Sequence, residues 1–232
     1  MSTKRCYGHP GPGVDLARLE GWLIVIEGRD STGRSTHIRR LAEWLEQRGH
    51  AVVEVGLHRS PLVGPELEQA KQGNLLSART MSLFYATDFY DQMENGIIPA
   101  MRSGAVVLAD RYIFTLMARD LVRGADPDSV ESLYAMAIVP DVVFYLSVSM
   151  PVLVERTLQA HPRLDYWESG MDLGFSRDWF DSFLIYQRRM EQQFQQLAKK
   201  YGFETINANR SLAAIQRDLR DRIASLLERA PE

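Results

Sequence analysis

The chain predicts an α/β fold built on a doubly wound parallel sheet. Three observations carry this. Short apolar segments alternate with longer amphipathic ones along most of the 232 residues. The short segments are rich in Val, Ile and Leu and lack polar alternation, as strands covered on both faces do. The first of them runs directly into a glycine-bracketed turn and then a helical pattern.

Strands are predicted at 22–27, 51–56, 105–109, 141–147 and 203–207, which makes a five-stranded sheet. Helices are predicted at 34–48, about 64–73, 78–102, 113–123, 127–138, 151–159, 176–201 and 211–229. In the last, Leu212, Ile215, Leu219, Ile223 and Leu226 recur as one apolar stripe. Residues 1–20 carry Gly8-His9-Pro10-Gly11-Pro12-Gly13 and read as a flexible tail, leaving 21–232 as one domain. Ligands on such sheets sit beyond the carboxyl ends of the strands.

Composition narrows the function classes. With 45% hydrophobic and 25% charged residues, the chain has an ordinary globular make-up and ample length for a core. A net charge of −3 gives no global electrostatic case for a nucleic-acid partner. No apolar run approaches the ~20 residues that span a bilayer, so no membrane partner is expected. The single cysteine, Cys6, excludes an internal disulfide framework and fits a reducing cytoplasm. The five histidines lack metal-ligand spacing, so no zinc site is expected.

The turn after the first strand reads Gly28-Arg29-Asp30-Ser31-Thr32-Gly33-Arg34-Ser35-Thr36. It follows the P-loop pattern G-x-x-x-x-G-K-[ST], with arginine in the lysine place. A helix start leaves N–H groups without intrahelical partners, and the peptide dipoles add partial positive charge there. Gly28 and Gly33 would let those N–H groups wrap a phosphate. Arg34 would add full charge near the outer phosphates, and Ser35 or Thr36 would offer a hydroxyl to Mg2+.

A second motif ends the third strand. Ala105-Val106-Val107-Leu108-Ala109 runs into Asp110-Arg111-Tyr112. A carboxylate at a buried strand end can hold Mg2+ or its waters, or accept a proton. The adjacent arginine can clamp a second phosphate through a bidentate fork. Arg34, Asp110 and Arg111 are thus the expected catalytic residues, with Ser35 and Asp110 placing the metal.

Over about residues 22–227 the chain resembles the thymidylate kinases. The likeness rests on the P-loop, on Leu83-Phe84-Tyr85-Ala86, on Ile98-Pro99-Ala100 with Gly104 and Asp110-Arg111-Tyr112, and on Pro140-Asp141 before the fourth strand. It implies a three-layer P-loop kinase fold, with helices on both sheet faces and a helical lid near 160–175. It also implies ATP as donor, Mg2+, a nucleoside monophosphate as acceptor and, often in this family, a homodimer. By match, Asp30 would lie near the acceptor sugar, Phe84 would stack on its base, and Arg111 would hold its phosphate, with Arg59 assisting. Arg156 would lie near the donor adenine.

The chain departs from that pattern at several positions. The P-loop lysine is Arg34. An arginine four residues past the stacking phenylalanine is Asp88, which inverts a charge and would need re-pairing, for instance with Arg119. An aromatic-then-polar pair is Arg119-Asp120, and a lid arginine matches Tyr166. Asp88 and Arg119 are therefore expected to face the acceptor. A second resemblance, to the family-2 polyphosphate kinases, rests on the P-loop and on Trp167-x-Ser169-x-Met171-Asp172-Leu173. It implies polyphosphate as donor. A nucleotide-binding protein without kinase activity is the third possibility.

Overall fold

A computed structural model describes residues 3–73, 76–160 and 163–228. Residues 161–162, inside the expected lid, and residues 1–2 of the tail lie outside that description. Among the described residues, five parallel strands form one sheet. They are β1 (Trp22–Glu27), β2 (Val52–Gly56), β3 (Val106–Asp110), β4 (Val142–Ser147) and β5 (Glu204–Asn207), in the order β2-β3-β1-β4-β5. β1 is central, pairing Trp22 with Val106 on one side and Ile24 with Val142 on the other.

The helices are α1 (Arg34–Glu46), α2 (Gly64–Gly73), α3 (Ala78–Gln92), α4 (Ile98–Arg102), α5 (Ile113–Val122), α6 (Pro127–Leu133), α7 (Met150–Ala160), α8 (Trp179–Tyr201) and α9 (Leu212–Glu228). They cover both sheet faces. Leu23 and Val25 enter one core with residues of α3, α5 and α8. Ile24 and Ile26 enter the other with residues of α1, α7 and α9. Alternate side chains of a strand point to opposite faces, and here both faces are dry, so both sets must be apolar.

Two expected helices divide or shorten. The 78–102 segment is α3, then a π-helical turn over Met93–Ile97, then α4. Pro99 offers no N–H to the ladder, and the wide turn before it takes up the mismatch. The 127–138 segment stops at Leu133: turns follow over 134–136, and 135–139 bond to the tail. Tyr7 and Gly8 donate to the carbonyls of Ala137 and Ala135, and Val139 donates to that of Arg5. Lys4 adds an ion pair to Asp141 at 2.6 Å. Residues 4–8, expected to be loose, are therefore docked along the sheet domain.

Candidate active site

β1 ends at Glu27, whose carboxylate is fully buried and accepts from the N–H groups of Tyr112 (2.9 Å) and Thr115 (3.2 Å). It also accepts from the Thr115 hydroxyl at 2.5 Å. One strand end thus caps α5 and fixes the Asp110-Arg111-Tyr112 turn beside the P-loop. Burial raises the Glu27 carboxyl above its usual range, opposed by these hydrogen bonds.

The loop from Gly28 to Gly33 then doubles back. A Cβ on Gly28 would lie 2.8 Å from the Thr32 hydroxyl and 3.0 Å from the Leu146 carbonyl, so only glycine fits that approach. Gly33 has φ +90° and begins α1 from a left-handed conformation. Among the described residues, the non-glycine positions with positive φ are Ser31, His58 and Arg111. Such backbone costs energy and persists where the surroundings enforce it.

Several P-loop side chains serve the loop itself. Arg29, within the P-loop expected to meet the nucleotide, is buried instead, donating to the carbonyls of Val148 (2.5 Å) and Gln187 (3.3 Å) and pairing with Glu191 at 2.9 Å. Thr32 donates to the Arg29 carbonyl at 2.9 Å. Arg34, expected to reach the outer phosphates, folds under the loop. Its Nη1 donates to the carbonyls of Gly28 and Arg29, and its Nε to Asp110 at 3.0 Å. A planar fork spans two carbonyls and a carboxylate together, which a lysine ammonium does not do in that geometry. The Ser31 hydroxyl is buried without a partner, while Ser35 and Thr36 are exposed at the start of α1.

The pair expected to hold Mg2+ is assembled. The Ser35 hydroxyl donates to Asp110 at 2.8 Å, across 75 residues of sequence. Hard oxygens of this kind suit Mg2+, which takes one or two protein ligands and completes its shell with phosphate and water. Among the described residues no group of three His, Cys, Asp or Glu could hold a metal alone. Arg156 donates to the carbonyls of Thr32 (3.4 Å) and Ala208 (3.0 Å), on the side of the loop away from Asp110.

Across the cleft lies a narrow apolar cavity with Met81, Tyr85, Leu116, Tyr134 and Trp167 in its wall. Arg119 enters it, with its guanidinium 5.5 Å above the Tyr85 ring and Nη1 donating to the Tyr85 hydroxyl at 3.2 Å. Asp30 sits between this cavity and the P-loop, touching Arg111, with Arg34 at 3.9 Å and Arg119 at 4.0 Å. Burial and neighbouring Arg119 bring the Arg111 guanidinium down to about 10, still charged at neutral pH. Its Nε is buried without a partner.

Segment 163–175 closes the cavity. It contains one 3-10 turn, Met171–Leu173, between two left-handed glycines, Gly170 and Gly174. Arg123 holds it through Asp172 at 2.8 Å and the Trp167 carbonyl at 3.0 Å. Glu168 reaches inward to Lys71 (3.4 Å) and Arg119 (3.7 Å). Burial would raise the Glu168 carboxyl, but Lys71, Arg119 and Arg111 outweigh it and hold it down to about 2. Lys71 and Glu168 also wall a second cavity on the P-loop side, which Asp30, Ser31 and Arg163 line.

Three expected acceptor contacts are displaced. Phe84 does not line the aromatic cavity; Tyr85, one residue on, does, because α3 turns Ala78, Met81, Ser82 and Tyr85 to that side. Asp88 is buried and accepts from the N–H groups of His58 and Ser60, both at 2.9 Å, and from Gln92 at 3.1 Å. It secures the turn after β2 and does not pair with Arg119. Arg59 is 41% exposed, 3.6 Å from Glu54, outside the cavity wall. Lys71, Tyr85, Tyr134, Arg163 and Glu168 were not singled out from the sequence as acceptor or donor contacts. For Tyr85 the helical phase of α3 was the available signal.

The family model described as Thymidylate kinase matches residues 26–219. A protein named "Probable thymidylate kinase 2" from Saccharolobus solfataricus is 37% identical, over 87% of this chain and 95% of its own length. "Thymidylate kinase" from Akkermansia muciniphila is 34% identical over 70% of this chain and 79% of itself. "Probable thymidylate kinase" from Thermococcus kodakarensis is 27% identical over 88% and 98%.

Proposed function

This chain belongs to the thymidylate kinase family, and from that premise we propose that it transfers the γ-phosphoryl group of ATP to dTMP, giving ADP and dTDP. One observation supports the reading most strongly. The P-loop cavity and the aromatic cavity share a wall, Lys71 and Glu168. A triphosphate in the first and a monophosphate in the second would therefore meet end to end.

In the transfer, an oxygen of the acceptor phosphate forms a bond to the γ-phosphorus. The bond to the β–γ bridging oxygen breaks, and its electron pair leaves with ADP. Such chemistry asks the protein for alignment and charge neutralisation. The N–H groups of the 28–36 loop hold the β-phosphate, as a helix start with glycine approach allows. Arg34 braces that loop from beneath and fixes Asp110. Arg111, whose Nε is buried without a partner, aligns the acceptor phosphate, and Asp30 sets the direction of its fork. Arg163 and Lys71 face the transferred group from the lid and from α2. Tyr85, flanked by His58 and Arg119, walls the base cavity.

Ser35 and Asp110 would hold Mg2+, which when bound neutralises charge on the β- and γ-phosphates. With segment 163–175 shut, water is kept from the donor and wasteful hydrolysis is limited. The same reading carries a cytoplasmic location and a homodimer with it. Among the described residues no helix is long and apolar enough to cross a membrane.

The test is a panel of monophosphates with ATP and Mg2+, followed by phosphorus NMR. dTMP should turn over fastest. Absence of transfer to every monophosphate by the folded protein would leave a nucleotide-binding protein. Turnover with polyphosphate in place of ATP would move the chain towards the second resemblance.

A further inference from the structure

Two polar side chains that line the aromatic cavity keep hydrogen-bonding capacity unused. Tyr134, at the end of α6, lines the cavity at 1% exposure, and its hydroxyl is buried with no hydrogen bond. An unsatisfied buried hydroxyl costs about 1–3 kcal/mol, and one carried by a residue that lines a cavity is available to a ligand atom. Phe89 holds the Tyr134 ring in place edge-on, at 5.8 Å between centroids. Asp120, on α5, lines the same cavity at 9% exposure. One carboxylate oxygen accepts from the Ser82 hydroxyl at 2.6 Å; the other accepts no hydrogen bond from any described residue. Arg123, close to Asp120, is already engaged with Asp172, Tyr186 and the Trp167 carbonyl.

We propose that Asp120 and Tyr134 read the acceptor's base as an imide, Asp120 accepting the ring N–H and Tyr134 donating to an adjacent carbonyl. This rests on the dTMP reading and adds how the base is chosen. Thymine and uracil present a ring N–H flanked by carbonyls. A carboxylate accepts but cannot donate, and the phenol supplies the donor at its side. Ser82 holds the carboxylate, and Met81, Leu116 and Trp167 give the apolar contact that a pyrimidine face or methyl group needs. A site built on buried polar groups rejects ligands that leave them unpaired.

The measurement is calorimetric binding of the monophosphate alone, without ATP, so that it is independent of turnover. dTMP, dCMP and N3-methyl-dTMP are compared on the unaltered chain, on Tyr134→Phe and on Asp120→Asn. Wild type should bind dTMP at least about 10²-fold more tightly than N3-methyl-dTMP, and more tightly than dCMP. Tyr134→Phe should weaken dTMP about 5-fold, and Asp120→Asn about 10–100-fold. ATP affinity should hold in both variants, which a merely structural role would not predict if the cleft were disturbed. Equal binding of dTMP and its N3-methyl analogue would overturn the assignment. So would dTMP affinity within twofold of wild type in both variants, or a preference for dCMP. Tight, edge-selective dTMP binding without phosphoryl transfer would uphold the assignment and remove the kinase reading instead.

Discussion

The two halves of the cleft are built in opposite ways. The donor half is one contiguous loop between β1 and α1, and its buried side chains face inward to shape it. Arg29, Thr32 and Arg34 are bonded mainly to loop and sheet carbonyls, which leaves the backbone N–H groups to meet a phosphate. The acceptor half is gathered from α2, α3, α5, α6 and segment 163–175. There the side chains themselves face the cavity, as an aromatic wall and a cluster of charges. The difference teaches that a backbone cradle is written in consecutive residues, whereas a side-chain pocket depends on how separate helices are phased against each other.

The contrast breaks first at Gly28. Gly28→Ala should lower ATP affinity at least about 10²-fold, because the new methyl meets the Leu146 backbone at 3.0 Å. dTMP affinity, measured by calorimetry, should stay within about threefold. Equal losses on both sides would mean that the halves are not separable.

Glu27 is the joint between them. Glu27→Ala leaves the N–H groups of Tyr112 and Thr115 and the Thr115 hydroxyl without an acceptor. We expect a loss of about 2–4 kcal/mol, read as a lower Tm in calorimetric scans. Both affinities should fall together.

Acid should reveal one shielded histidine on each side, His37 buried and His58 half-buried. His37, bonded to Gln216, is lowered to about 4 by burial and by Arg40 and Arg156. His58, bonded to the Tyr85 hydroxyl, is lowered to about 4 by burial and by Arg119 and Lys71. Below the ordinary 6.5, the unfolded chain takes up protons that the folded one refuses. Stability should therefore fall as pH drops from about 6.5 to 4, by about 1–3 kcal/mol for each histidine. Replacing either with glutamine should remove its share from the pH dependence of Tm, and an unchanged profile would contradict these environments.

The smallest effect belongs to the lid. Glu168→Gln removes the carboxylate between Lys71 and Arg119 and should cost about 1–2 kcal/mol at neutral pH. With a folded value of about 2 against an ordinary 4.5, the stabilisation is whole above 4.5 and is lost as pH falls towards 2. The variant should lack that component in a denaturation series over this acid range.

The fold was open to a sequence reading because its signals are local. Central strands buried on both faces must be continuously apolar, and β1, β3 and β4 are. The boundaries that moved did so for reasons lying elsewhere. Residues 135–139 are drawn away from the helix by hydrogen bonds with residues 5–8, a partner far away in the chain. Within the site, Ser35 with Asp110 was legible because each ends a recognisable strand-linked motif. Phe84 was chosen over Tyr85 because a motif fixes the order of residues, while helix rotation fixes which of them faces the cavity. Asp88 looked like a pocket residue for the same reason; burial turned it towards the N–H groups of His58 and Ser60.

By itself, the sequence determined a parallel sheet with a phosphate cradle at the end of its first strand, since both follow from hydrophobic period and glycine spacing within about fifteen residues. Only the tertiary structure decided that Arg34 braces the loop, that Glu168 is held by Lys71 and Arg119, and that Tyr134, its hydroxyl unpartnered, lines the same pocket as Asp120. Several of those outcomes depend on distances between separate segments, 76 residues apart for Arg34 and Asp110 and 97 for Lys71 and Glu168, which packing sets.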